Sequence, residues 1–401
     1  MDQIYRTQRS AVTNLLDTHI MNLVNSIEYE PEDGIINDYV GDVVAIGDIH
    51  GDFDALITCL FIAGLINENA EWIGENTIVV QTGDILDDGR PHIDGRPGFI
   101  CEFHNIGFDE ILIFKYLADL NIQAKAHNSR ILLCIGNHEL SSYINYDILY
   151  HNYVLPKTKK IFGRLRRNLL SQNGKLIEIF AKMFNAIVKI NNWVFLHGGI
   201  EGKHIASDRN ISILNNDLKT ILSNGKIYTD QGLEIQREKF INFLLSDGSV
   251  LSSRKYGTEI TLSKCNDYLE LKKGSWENLK MVIGHTINNK INSTCGTHES
   301  PDIYRIDTGM SRAFGCNNIN KIAVLKITWI SGENIPQTPQ TPRISRITIE
   351  NNTIVTDDVS YESPMLVPSA VQIPQVTATK RERDPSDTSF KAKRIPEPQT
   401  K

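Results

Sequence analysis

The sequence predicts an α/β protein, and two observations carry that prediction. Short apolar runs suited to buried strands alternate with segments whose apolar residues recur at helical spacing. Five of the runs each end in a glycine-flanked polar block. VVAI precedes Gly47-Asp48-Ile49-His50-Gly51, TIVVQT precedes Gly83-Asp84, and ILLCI precedes Gly136-Asn137-His138-Glu139. WVFL precedes His197-Gly198-Gly199, and MVI precedes Gly284-His285-Thr286. Such a run reads as a buried strand delivering a polar side chain at its C-terminal edge.

In chain order, residues 1–40 form a helical lead, with Leu15, Leu16, Ile20, Leu23, Val24 and Ile27 spaced for one apolar face. Proline and acidic residues near 31–33 end it. Strand VVAIGD, a helix over about 53–66, strand TIVVQTGD, a helix over about 108–126 and strand RILLCIGNHE then give a βαβ pattern. Residues 140–186 form a helical cap carrying Lys157, Lys159, Lys160, Arg164, Arg166 and Arg167. That basic cluster is either a solvated face or a substrate-steering one. VKINNWVFLHGG reads as a hairpin turning at Asn191-Asn192, and a second, partly helical cap covers 201–255. After Gly309 the pattern becomes antiparallel: KIAVLKITW, the proline-broken loop ENIPQTPQTP, then RISRITIENNTIVTD with a turn at Asn351-Asn352. The main domain therefore spans 41–357. Residues 358–401, rich in Pro, Ser, Thr and charge, read as a disordered tail suited to a protein partner. Lys380-Arg381 and Lys391-Ala392-Lys393-Arg394 have the spacing of a bipartite nuclear-import signal, against the plainer reading of a solvated mixed-charge tail.

With 401 residues, 41% hydrophobic content and a net charge of −6, the chain fits an intracellular enzyme, cytoplasmic or nuclear and not secreted. The charge argues against a stable nucleic-acid partner, and no apolar stretch is long enough to span a membrane. The cysteines at 59, 101, 134, 265, 295 and 316 show no CxxC pairing and read as reduced thiols.

Convergence of the five strand ends would gather two aspartates, an asparagine and four histidines, a set suited to two adjacent divalent metal ions. Two metals about 3.5–4 Å apart clamp a phosphate ester and lower the pKa of a shared water. Such a pair needs a bridging carboxylate, for which Asp84 is the candidate. Asp48 and His50 leave a strand end on the same side and grip one metal. Asn137, His197 and His285 hold the other with neutral ligands, keeping the site receptive to a phosphate dianion. His138, beside Asn137 and not needed as a ligand, is free to act as general acid, with Asp87 orienting its imidazole.

The pattern GDxHG, GDxxD, GNHE, HGG, GHT resembles the calcineurin-like metallophosphoesterases, specifically the phosphoprotein phosphatases, over about residues 41–330. Trp72-Ile73-Gly74, Gly83-Asp84-Ile85-Leu86-Asp87, Ser253-Arg254-Lys255-Tyr256 and Ile306-Asp307-Thr308-Gly309-Met310-Ser311 are similar to the bacterial-type, Shewanella-like branch. The resemblance implies a four-layer αββα sandwich of mixed sheets with helical caps. It implies a metal-dependent phosphomonoesterase, a serine/threonine-type protein phosphatase using two Mn, Fe or Zn ions and a metal-bridged hydroxide. It assigns the same ligands and the same acid pair. Hydrolysis of small phosphorylated molecules or dinucleoside polyphosphates is the neighbouring alternative. One departure motivates a third reading, a weak pseudophosphatase acting as a scaffold. Where the family has Asp-Arg-Gly with a phosphate-binding arginine, this chain has Asp87-Asp88-Gly89. Losing a charge-assisted hydrogen bond, about 1.5–3 kcal/mol, lowers turnover by roughly one to two decades unless another arginine replaces it. Arg254, matching the family's second phosphate-binding arginine, is the first candidate. Arg90, Arg96 and Arg312 are the others, with Arg90 equally readable as a solvated turn residue.

Overall fold

The computed structural model describes residues 2–90, 106–201, 208–224, 227–228, 234–235, 244–246, 248–273, 278–315, 319–329 and 342–365. Residues Met1–Leu366 form one compact unit. Helix α1 (Asp2–Asn25) leads the chain, with Ile20, Val24 and Ile27 buried and Leu16 and Leu23 packed against the core. Leu15, expected on that face, is instead 72% exposed. It precedes Leu16 by one residue, about 100° around the helix and off the stripe. The lead is not wholly helical, because β1 (Ile35–Ile36) already pairs into a sheet.

All five apolar runs are strands. Strand β2 (Asp42–Ile46) lies parallel to β3 (Thr77–Gln81), which lies parallel to β4 (Arg130–Cys134), followed by β5 (Phe184–Asn185). Helices α2 (Phe53–Ile62) and α3 (Asp109–Ala126) make the crossovers, and the Asp52 carboxylate caps α2 by accepting from Ala55 N at 3.1 Å. Asp52 thereby satisfies one of the open amides of the first turn.

The second sheet takes its strands from later in the chain. Strands β6 (Val188–Ile190) and β7 (Trp193–Leu196) form the expected hairpin, with Asn191 at φ 55°. In the second cap, β8 (Ile227–Tyr228) pairs with β9 (Glu234–Ile235). Strand β10 (Lys280–Ile283) lies parallel to both β7 and β12 (Pro301–Arg305), and β11 (Asn292–Gly296) runs antiparallel to β12. Strands β13 (Ala323–Thr328), β14 (Arg343–Glu350) and β15 (Thr353–Asp358) add antiparallel to the first sheet beside β2. Asn351 and Asn352, at φ 49° and 61°, make the β14–β15 turn with the left-handed backbone that a two-residue hairpin needs. Strand β16 (Ser360–Glu362) then pairs with β11 of the second sheet, so the chain passes from one sheet to the other beyond the expected limit at 357. Three residues are too few for an alternation to be read.

The result is two mixed seven-stranded sheets, β15-β14-β13-β2-β3-β4-β5 and β1-β6-β7-β10-β12-β11-β16. Val43, Ala45, Ile78 and Val80 of the first sheet meet Val188, Phe195, Val282 and Tyr304 of the second in one core between them. Their strand neighbours Val44, Ile46, Val79 and Leu196 join the core under the helices. Residues buried on both faces explain why these strands read as continuous apolar runs rather than alternations.

The first cap comprises α4 (Asn137–Ile144), α5 (Tyr146–Tyr153), α6 (Pro156–Ile161), α7 (Gly163–Leu169) and α8 (Lys175–Met183). Helix α9 (Asp208–Asn224) opens the second, and α10 (Leu262–Lys272) follows in a stretch where the sequence predicts no element. Among the described residues no helix is long and apolar enough to cross a membrane. Residues 333–341 of the proline-broken loop, Arg96, Cys101, Cys316 and the tail with both basic clusters lie outside the described residues.

The cysteine reading needs correction. Cys59 and Cys134 are free and buried, but Cys265 on α10 and Cys295 on β11 form a disulfide, with Cα atoms 5.2 Å apart. No sequence spacing announces it, since the pair is made by the packing of α10 on the sheet. A crosslink closing a loop of this length restricts the unfolded chain by about 3–4 kcal/mol in the loop-entropy account. Cys265→Ser should lower unfolding free energy by up to that amount in denaturant titrations without reductant, and dithiothreitol should erase the difference from wild type.

Candidate metal centre

The five polar blocks meet at the C-terminal ends of β2, β3, β4, β7 and β10, and their backbone is shaped for it. His50, Asp84, Asp87 and His285 have φ of 46°, 57°, 70° and 64°, a left-handed conformation uncommon for residues bearing a Cβ. Four in one place is the pattern of strain held at a functional site by its surroundings. Gly136 is required because a Cβ there would stand 2.1 Å from Asp84 Oδ1.

Asp84 Oδ2 is the hub. It lies 3.2 Å from His197 Nε2, 3.7 Å from His50 Nε2 and 3.9 Å from His138 Nε2. Asp48 Oδ2 stands 3.9 Å from His50 Nε2. On the other side, His197 Nε2 is 2.8 Å from Asn137 Oδ1 and 3.1 Å from His285 Nδ1. Two overlapping sets result, His50-Asp84-His138 and Asp84-His197-His285, each with ligand atoms within 4.8 Å of one another. Asp84 belongs to both.

The ring orientations follow from hydrogen bonds. His50 Nδ1 is 2.9 Å from Leu86 O and His197 Nδ1 is 3.0 Å from Thr82 O. A carbonyl only accepts, so each Nδ1 carries a proton and each Nε2 is left turned into the site, where a cation would take its lone pair. Burial, reinforced by Asp307, pushes Asp48 well above the usual carboxylate range. Burial also acts on Asp84, but His197, His138 and His50 hold it well below. Burial lowers the His197 imidazole, yet Asp84 and Asp48 lift it to about 9. Burial and the neighbouring His197 charge drive His285 down to about 2. Carboxylates crowded out of water beside imidazoles and an amide oxygen form a donor set that a divalent cation satisfies.

Beside this cluster His138 Nδ1 lies 2.7 Å from Asp87 Oδ2. Burial raises an isolated carboxyl, but Arg166 and His138 hold Asp87 below its usual range. Arg166 was read from sequence as one of six cap cations on a solvated or steering face. It is completely buried, bonded to Asp87 and Glu110. Arg167 of the same cluster pairs with Asp147, and Lys159 Nζ donates to His151 O at 2.9 Å.

Asp88, the departure from the family pattern, serves the cap. Its carboxylate accepts from Leu155 N at 2.9 Å and Thr158 Oγ1 at 2.5 Å, anchoring the start of α6. Arg90 is no solvated turn residue. It folds back to donate to Asp87 O and Gly89 O, with its guanidinium 4.4 Å from the Phe314 ring centroid and 5.6 Å from that of Tyr153. Those rings in turn edge onto His50 and His138. Arg254 is exposed and donates to His285 O at 2.9 Å. Arg312 is occupied by Asp52 and Asp54. Sequence reasoning did not single out Glu110, Tyr153, Phe314 or the site role of Asp307. Only Asp307 left a signal, inside the Ile306-Asp307-Thr308-Gly309-Met310-Ser311 block that resembles the Shewanella-like branch.

A sandwich of two mixed sheets that presents carboxylates and imidazoles at its strand ends is built to hold divalent metal ions. Residues 41–305 match the calcineurin-like phosphoesterases, and the chain belongs to that family. It is similar to Shewanella-like protein phosphatase 1 of Plasmodium berghei (strain Anka), 31% identical over 281 residues, covering 68% of this chain and 67% of that protein. It is also similar to Shewanella-like protein phosphatase 2 of Arabidopsis thaliana, 26% identical over 319 residues, covering 68% and 72%. The crystal structure of a cold-active protein-tyrosine phosphatase of a psychrophilic Shewanella sp. shares the fold, with a TM-score of 0.53 and 20% identity over 82% of this chain and 80% of that one.

Asp84 stands in both ligand sets, so its loss should be felt by any ion held by either set. Asp84→Asn should retain less than half the metal that wild type retains after dialysis, as read by elemental analysis.

Proposed function

We propose that this chain is a protein phosphatase acting on phosphoserine and phosphothreonine. Asp48, His50 and Asp84 would hold one divalent ion, and Asp84, Asn137, His197 and His285 a second. The observation that carries this reading is the hub at Asp84 Oδ2, within 3.2–3.9 Å of three imidazoles, one of which is bonded to a buried carboxylate of its own. The protein phosphatases among its relatives favour a phosphoprotein substrate.

When bound, the ions supply an activated water and neutralise charge on the phosphoryl group. The protein's own residues do the rest. Arg254 at the mouth and Arg90 beside Phe314 flank the cluster and receive the phosphate oxygens, with Arg90 taking the task that an arginine at position 88 performs elsewhere in the family. His138 Nε2 faces Asp84 Oδ2 across 3.9 Å, while its Nδ1 is bonded to Asp87, so the imidazole delivers a proton from Nε2 to the leaving oxygen. Asp87 stabilises the charged imidazole before transfer. The rings of Tyr153 and Phe314 edge onto His138 and His50 and wall that side of the site. With Asp88 engaged by α6 and a cation at Arg90, the scaffold reading loses its motive.

A panel of phosphoserine, phosphothreonine and phosphotyrosine peptides, with diadenosine tetraphosphate, tests the assignment in manganese. Exclusive turnover of phosphotyrosine or of the dinucleotide would overturn it. His138→Ala should keep its metal and lose roughly 10²–10⁴ in turnover. Its loss should be larger on phenyl phosphate than on p-nitrophenyl phosphate, whose leaving group needs little protonation.

Arg90→Ala and Arg254→Ala should each lower kcat/KM by roughly one to two decades, the cost of one charge-assisted hydrogen bond. Asp88→Arg abandons Leu155 N and Thr158, so steady-state kinetics should show lower rather than improved turnover.

A further inference from the structure

Arg166 is the one cap cation turned inward, and its contacts are specific. Nε donates to Glu110 Oε2 at 2.8 Å and Nη2 to Glu110 Oε1 at 3.0 Å, while Nη2 also reaches Asp87 Oδ1 at 2.7 Å. Glu110 Oε1 accepts from Asp87 N at 2.7 Å. Arg166 and Asp87 are 0% exposed and Glu110 2%. The division of labour follows from the planar fork of the guanidinium, which matches one carboxylate in two bonds. Glu110 takes that fork. Asp87 is therefore left with a single bond from Arg166, through Oδ1, and its Oδ2 remains for His138 Nδ1. Ser142 Oγ donates more distantly to both Asp87 oxygens, at 3.4 Å to Oδ1 and 3.3 Å to Oδ2, so the short bonds from Arg166 and His138 set which oxygen faces which partner.

We propose that Arg166, reaching in from the first cap, is a positioning residue for proton transfer, acting with Glu110 to hold Asp87 in the one rotation that leaves an oxygen for His138. This rests on the reading of His138 and Asp87 as the acid pair. The arrangement makes the cap part of the catalytic apparatus. Arg166 comes from α7, Asp87 from the loop after β3 and Glu110 from α3. One further contact clamps the cap to the same place, the Asp88 carboxylate on the start of α6.

The test uses the metal-loaded full chain with two substitutions that spare the buried charge balance. Arg166→Lys keeps a buried cation but offers a single nitrogen in place of the fork. Arg166→Met with Glu110→Gln removes one charge of each sign. Turnover is measured on phenyl phosphate and p-nitrophenyl phosphate, with His138→Ala as the reference. Both variants should hold wild-type metal and lose about 10–100-fold more turnover on phenyl phosphate than on p-nitrophenyl phosphate. Equal losses on the two substrates, or none, beside a selective loss in His138→Ala, would overturn the role of Arg166 alone. A His138→Ala variant that loses equally on both substrates would overturn the acid pair itself, and this inference with it.

Discussion

One carboxylate holds the catalytic edge of the first sheet together. Glu139 Oε1 accepts from Ile85 N at 2.7 Å and Leu86 N at 2.8 Å, and Oε2 from Asp84 N at 2.9 Å and Gly136 N at 2.8 Å. Four amides from the loops after β3 and β4 therefore converge on a single side chain that water never reaches. A buried amide without a partner costs about 1–3 kcal/mol, so removing this carboxylate would release four such costs at once. The left-handed turn at Asp84 persists because its amide and its neighbours' amides are spoken for. Burial, with Asp84 close by, pushes the Glu139 carboxyl up to about 7, so the amides hold an anion in a place hostile to anions.

What was legible in the sequence, and what was not, follows from how locally each feature is encoded. Each site residue at a strand end is announced by its own apolar run, and the positions of Asp48, His50, Asp84, Asn137, His197 and His285 follow from strand direction alone. His138 and Asp87 were legible because each adjoins such a block. Arg166 was not, since a cation among five others in a helical stretch looks the same whether it faces water or a buried pair of acids. The acids that select it, Asp87 and Glu110, lie 79 and 56 residues away in sequence. The same distance hides the Cys265–Cys295 bond and the anchoring of α6 by Asp88. Arg90 was ambiguous for another reason. Its direction is set by the Phe314 and Tyr153 rings, which come from the segment after Gly309 and from α5.

The departure at Asp88 shows how a local rule can break without breaking the site. The position anchors the cap through Leu155 and Thr158, and two residues later Arg90 lies against Phe314 and Tyr153, the rings that edge onto His50 and His138. The cap helix and the metal centre share one short loop.

The hub also straddles the boundary between the two sheets. Asp48, Asp84 and Asn137 follow strands of the first sheet, and His197 and His285 follow strands of the second. An ion held by both sets is a rivet through the sandwich, and its affinity becomes part of the folding equilibrium. Each site occupied at a hundredfold excess over its dissociation constant adds about 2.7 kcal/mol to the folded state, comparable with the disulfide on the far side of the second sheet. A metal bound there would link activity to folded stability, so its loss would both silence the catalyst and loosen the fold that carries it.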